Sequence, residues 1–213
     1  MRRSVAIVIG VLAALIVTSR PVAAASMPDE KPYFLVATPE MGDPVFRQSV
    51  IMMVPVDAEF AAASHLRAGV IINEPTGTAA HEVFPHFPAL KDDPTSAYYG
   101  GPVDDGRPTL ALRGSAPSGK ATQLFGDVYV STDADTIAQI LKVHPANVRI
   151  FFGRAQWLDE QLHYEIMEGA WYVMPADADQ AFSADPTHLW HKLVERGQLQ
   201  EAHYLFPFGD TPR

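Results

Sequence analysis

The chain has 213 residues, 47% of them hydrophobic and 19% charged, enough apolar material for one folded domain. Fourteen glycines and eighteen prolines fall short of a low-complexity composition, which excludes collagen-like, coiled-coil and disordered readings. There is no cysteine, which excludes disulfide frameworks, thiolate metal sites, thiol nucleophiles and lipid anchoring through a cysteine.

The first 25 residues read as an address. Arg2 and Arg3 precede an uncharged apolar run from Val5 to Val17, too short to span a bilayer. A polar stretch with Pro21 follows, and Ala23 and Ala25 supply the small side chains that a signal peptidase requires. Cleavage after Ala25 gives an exported, periplasmic protein without a stable membrane span. It also leaves 13 basic against 25 acidic residues, a net charge of −12. The basic residues are scattered, so no nucleic-acid surface is expected.

Phe34–Ala37 and Gln48–Val54 read as strands, joined by a turn at Gly42-Asp43-Pro44. Gly69–Asn73 is a continuous apolar run suited to a strand buried on both faces, ending at Glu74-Pro75. Residues 85–96 form a proline-rich loop, and Tyr98-Tyr99 runs into a turn at Gly100-Gly101-Pro102. Strands follow at Thr109–Arg113 and Leu124–Val130. A helix over Asp133–His144 places Ile137, Ile140 and Leu141 on one face. Val148–Phe152 is a strand. Leu158, Leu162 and Ile166, four apart, mark a helix over 156–168 that stops at Gly169. Ala170–Met174 is a strand, and a last helix opens at Asp185-Pro186 and ends at Gly197. Strands interrupted by a few helices, without regular β–α alternation, give an α+β fold with one compact domain over 26–197 and a tail over 198–213.

The motifs for chemistry are thin. Gly114 to Lys120 fits GxxxxGK, but Ala121 stands where a phosphate loop needs a hydroxyl, Pro117 removes an N–H, and a strand follows in place of a helix. His81-Glu82 with His86 misses the HExxH spacing by one residue, and Pro85 breaks the helix. His188 and His191 share a helix face without a third ligand nearby. No GxSxG elbow is present, and Asp92-Asp93, Asp104-Asp105 and Asp159-Glu160 read as solvated acids. No cofactor and no metal are expected. What remains is Gly153-Arg154-Ala155-Gln156-Trp157, read as a strand end feeding a helix start, with Trp157, Gln161 and Glu165 four apart beside the leucine stripe.

Five segments, FLVATPEMGDPVFRQSV (34–50), GVIINEPT (69–76), YYGGPV (98–103), VRIFFGRAQWLDEQLHYE (148–165) and AWYVMPAD (170–177), together resemble the YqgE/AlgH family of bacterial proteins. The resemblance implies a bent, bifurcated sheet forming a pseudo-barrel flanked by helices. It implies no agreed reaction, although one member is described as a regulator of alginate synthesis. The chain departs from the family's usual pattern at Arg154, Gln156 and 158–160, and at Glu74, where Arg or another residue is usual.

The function expected from these features is a non-enzymatic binding or regulatory module for an unidentified protein or small molecule. Its candidate contact residues are Asn73, Glu74, Thr76, Gly100, Gly101, Arg154, Gln156 and Trp157. The alternative is an extracytoplasmic hydrolase or other small-molecule enzyme whose histidines and acids gather from distant segments.

Overall fold

The computed structural model describes residues 31–56, 65–83, 96–143 and 147–205, with single residues 85 and 91. The expected leader, most of the 85–96 loop, His86 and the end of the tail lie outside the described residues.

Among the described residues ten strands form one sheet: β1 Tyr33–Ala37, β2 Val50–Val54, β3 Leu66–Ile71, β4 Pro75–Ala79, β5 Ser96–Tyr99, β6 Val103–Arg113, β7 Thr122–Phe125, β8 Val128–Ser131, β9 Val148–Leu158 and β10 Trp171–Pro175. Five helices among the described residues flank it: α1 Ala80–Val83, α2 Ala134–Val143, α3 Asp159–Met167, α4 Ala178–Ala181 and α5 Leu189–Leu205. The strand order is β10-β1-β2-β3-β9-β6-β8-β7, with β4 and β5 as a side branch. The expected α+β fold with a bent, bifurcated sheet is observed, as a curled antiparallel half-barrel with helices packed on both of its faces.

The bifurcation lies within β9. One edge of this strand pairs with β6. The other edge pairs first with β5, in parallel through Ile150, Phe151 and Phe152, and then with β3, antiparallel through Ala155 to Leu158. The change of partner falls at Gly153, whose φ of +70° is left-handed. Residues 100–101 fill the fork. Gly100 N–H donates to Phe152 O at 2.6 Å, and Gly100 O accepts from Ile71 N at 3.0 Å. A Cβ on Gly100 would overlap the Gly153 carbonyl oxygen, one on Gly101 the Arg154 carbonyl carbon, and one on Gly153 the Gly101 carbonyl oxygen.

Both faces of the central strands are covered, which is why Tyr33–Ala37 carries no polar residue. Phe34 and Val36 face a cluster with Val50, Met52, Phe151, Trp190 and Leu193, closed by α5. Tyr33, Leu35 and Ala37 face Trp157, Leu162, Ile166 and Trp171 under α3. A third cluster holds Leu110, Leu112, Val148 and Ile150 beneath Ile137, Ile140 and Leu141 of α2. Each such side chain contributes roughly 1.5–3 kcal/mol by leaving water.

Several sequence readings are corrected. The strand at 148–152 continues to Leu158, so 153–157 lies within a strand and does not join a strand to a helix. Helix α3 begins at Asp159, and Leu158, 54% exposed, is no part of the Leu162/Ile166 stripe. The strand expected at 109–113 starts at Val103, and 124–130 is a hairpin, β7–β8, turning at Gly126-Asp127. The last helix runs through Gly197 to Leu205. A glycine is used there because a Cβ would run into the Tyr172 ring and the end of Met174.

Candidate functional site

Asn73 is the first candidate residue with a defined job. It follows β3, is 7% exposed, and spends its amide on the main chain of the loop before β2. Its Oδ1 accepts from Val50 N at 2.7 Å and its Nδ2 donates to Gln48 O at 2.9 Å. Gln48 sits at φ +61°, a left-handed conformation that a non-glycine residue adopts only when its surroundings impose it. The Asn73 clamp imposes it.

Beside this clamp is a recess of about 180 Å³. Asn73 and Glu74 line it from one turn, Arg47 and Gln48 from another, and Thr187, Trp190 and His191 from the start of α5. Glu74 is half-buried, and burial pushes its carboxyl above the ordinary carboxylate value. No Arg, Lys or His among the described residues forms an ion pair with it. Its main-chain oxygen accepts from Tyr99 N at 3.0 Å, which ties the turn to β5. Trp190 turns its indole N–H inward to Ala37 O at 2.7 Å, and the His191 ring meets the Trp190 ring edge-on at 4.9 Å.

The walls of the recess are anchored by a residue the sequence reading did not single out. Arg149, 8% exposed on β9, donates to Ile72 O at 3.4 Å and to Ser183 O. Its guanidinium lies over the Tyr98 ring at 4.9 Å and near Phe182 at 5.6 Å. Burial lowers its pKa, and no carboxylate among the described residues pairs with it. Arg149 therefore links the residue before Asn73 to the segment before Thr187.

The other expected residues go elsewhere. Thr76 is on β4, where its hydroxyl donates to Ala97 O at 2.9 Å. Gly100 and Gly101 are buried in the sheet fork. Arg154 and Gln156 are half-buried on β9, opposite Val103 and Ala68. Trp157, 2% exposed, stacks on Phe46 at 5.6 Å and donates to Glu165 at 3.0 Å, so its indole belongs to the core under α3. Asn73 and Glu74 thus come together with His191, while Gly101, Arg154 and Trp157 do not line that recess. Sequence offered His191 only as half of a pair on the last helix.

The remaining motifs have structural uses. Lys120 N–H donates to Thr136 Oγ1 at 2.8 Å and its Nζ lies 3.3 Å from Asp133, so the 114–120 loop is laid against the start of α2 and feeds a strand. Asp133 caps that helix by accepting from Thr136 N at 3.1 Å. His188 Nδ1 bonds Asp185 at 2.9 Å, an exposed contact three residues apart that fixes the turn before α5. Among the described residues no three His, Asp or Glu side chains gather as metal ligands, and no helix is long and apolar enough to cross a membrane.

Comparison with known proteins agrees with this architecture. A family model described as AlgH-like, a domain of unknown function, matches residues 34–202. A UPF0301 protein of Thermobifida fusca is 32% identical over 189 residues, covering 84% of this chain and 91% of the relative. Another, from Methylococcus capsulatus, is 31% identical over 177 residues, covering 80% and 93%. A Corynebacterium diphtheriae crystal structure matches with a TM-score of 0.64 and 23% identity, covering 81% of this chain and 90% of that one. The solution structure of the AlgH protein from Pseudomonas aeruginosa matches with a TM-score of 0.57 and 27% identity, covering 86% and 93%.

Proposed function

The chain belongs to the AlgH-like family, and from that premise we propose that it is an exported, non-enzymatic binding or regulatory module whose contact site is the recess at Asn73 and Glu74. One observation carries this reading: Glu74, half-buried and without an ion pair to any described residue, lines a recess whose walls are held by Asn73 and Arg149. Walls held in place around a partly desolvated carboxylate are what a binding site needs. Export is supported by the leader pattern at residues 2–25. Intact mass of the protein recovered from cells tests it: a species starting at Ser26 is expected, and a full-length cytosolic species overturns it.

Binding is tested by following ¹H–¹⁵N spectra while pools of small molecules and periplasmic extract are added. Perturbation centred on Asn73, Trp190 and His191 is expected, and perturbation elsewhere removes the recess from the reading. The second reading is an extracytoplasmic enzyme, favoured by the presence of a raised carboxyl and an imidazole on one recess. Turnover in an esterase, phosphatase and glycosidase screen that Glu74→Gln abolishes would put it first.

A further inference from the structure

Resting on that reading, we infer that the recess takes a primary ammonium group, the cation held by the Glu74 carboxylate and its alkyl stem laid against Trp190. Glu74 sets the sign of the charge sought on its side of the recess. Glu74 is the carboxylate lining the recess, and it has left part of its hydration shell without an ion pair to any described residue. Buried charge is stable when paired, so a ligand cation recovers what burial has cost, and an anion makes it worse.

The size of the recess suits a small cation. About 180 Å³ holds a short alkyl chain with an ammonium head, since a water molecule occupies about 30 Å³. Trp190 lines the recess, and with its N–H committed to Ala37 O only its ring is left to meet an alkylammonium there. Asn73 has both ends of its amide committed to the main chain, so it shapes the wall. The other titratable groups on the recess, Arg47 and His191, are both exposed and form no ion pair with Glu74. Arg47 marks the rim as a place where a second, anionic part of a ligand would be tolerated.

A free amine and a lysine side chain share this chemistry. The test titrates the chain with n-butylammonium, putrescine, Nα-acetyl-lysine-N-methylamide, n-butanol and butyrate at fixed ionic strength near neutral pH, reading amide shifts. Saturable shifts at Asn73, Trp190 and His191 are expected from the amines alone. Glu74→Gln is expected to weaken them at least tenfold. Asp135→Asn, which removes the same charge from the exposed face of α2, is expected to leave them unchanged. The ranking of putrescine against the lysine amide separates a free amine from a protein side chain.

Equal binding of butanol or butyrate, equal affinity in Glu74→Gln, or no saturable shift from any amine overturns the assignment. If a pooled compound still perturbs the recess when no amine does, the amine assignment falls while the binding reading stands.

Discussion

The indole N–H groups of Trp157 and Trp171 converge on one oxygen of Glu165, at 3.0 and 2.9 Å, with their rings edge-to-face at 6.0 Å. Gln161 holds the other carboxylate oxygen at 2.9 Å, and Phe46 covers both indoles. Three consecutive elements, β9, α3 and β10, are joined by that carboxylate. The stripe at Trp157, Gln161 and Glu165 is therefore real as a contact set, although Trp157 stands on a strand.

Removing the shared acceptor leaves two buried N–H groups unpaired, at about 1–3 kcal/mol each. Glu165→Ala is expected to lower stability by about 2–4 kcal/mol in urea unfolding followed by tryptophan fluorescence. Glu165→Gln keeps one acceptor oxygen and should lose less than half as much. A loss in Glu165→Ala below about 0.5 kcal/mol would mean that ring packing alone holds the pair.

Two glycines of matched conformation separate strain from space. Gly77 (φ +73°) has nothing within 4 Å of a would-be Cβ, whereas Gly153 (φ +70°) has the Gly101 carbonyl there. Gly77→Ala should cost about 1–2 kcal/mol, the left-handed penalty alone. Gly153→Ala should cost more than about 4 kcal/mol or give no soluble protein, because β9 cannot change partners without that approach. Soluble yield and urea midpoints of the two variants decide it, and equal losses would mean that the fork opens freely.

The fold was legible where both faces of a strand are buried, because Phe34–Ala37 and Gly69–Ile72 offer no polar interruption to misread. It was illegible where tertiary pairing overrides local signals. Asp104 and Asp105 read as solvated acids ahead of the strand expected at 109–113, yet they belong to β6, whose register with β9 shifts between Val103 and Pro108. Ala155 and Trp157 point inward between Arg154 and Gln156, the period of a strand, but the four-residue spacing of Leu158, Leu162 and Ile166 masked it. Asn73 and Glu74 could be picked out from their turn. Their partners Gln48 and His191 could not, since a left-handed glutamine and a distant helix start leave no sequence mark.

Arg149 should resist conservative replacement. A lysine cannot reach Ile72 O and Ser183 O together or lie flat between Tyr98 and Phe182. Arg149→Lys is expected to lose about 2–3 kcal/mol in urea unfolding and to broaden the amide resonances of Asn73 and Thr187. Unchanged spectra would free the recess walls from this anchor.

Glu74 carries a pH signature. Its folded pKa lies above the unfolded one, so the contribution is present below the unfolded value near 4.5 and is lost as pH rises through the folded value. At neutral pH the chain therefore bears the cost of a partly desolvated carboxylate that glutamine would not have. Glu74→Gln should melt above the parent at pH 7, with the gap closing in acid once the parent carboxyl is protonated. Arg47 and His191, the other titratable groups on the recess, are common to both proteins and cancel in the comparison. A gap that persists or widens in acid would assign the gain to packing.

The 114–120 loop gives the sharpest contrast between motif and structure. A phosphate loop presents free N–H groups at a helix start, whereas here the Lys120 N–H is taken by Thr136 and the chain runs on into β7. Asp133 is held below the ordinary carboxylate range, first by the Thr136 hydroxyl, then by its N–H, and also by Lys120. With a depressed folded pKa, its contribution is present above the unfolded value and is lost as pH falls through the folded one. ATP with magnesium should therefore produce no thermal shift in the parent or in Lys120→Ala. Asp133→Ala should speed hydrogen exchange at Thr136 and Ile137 near neutral pH, with the difference from the parent shrinking in strong acid. An ATP shift that Lys120→Ala removes would show that the loop can leave α2 and bind phosphate.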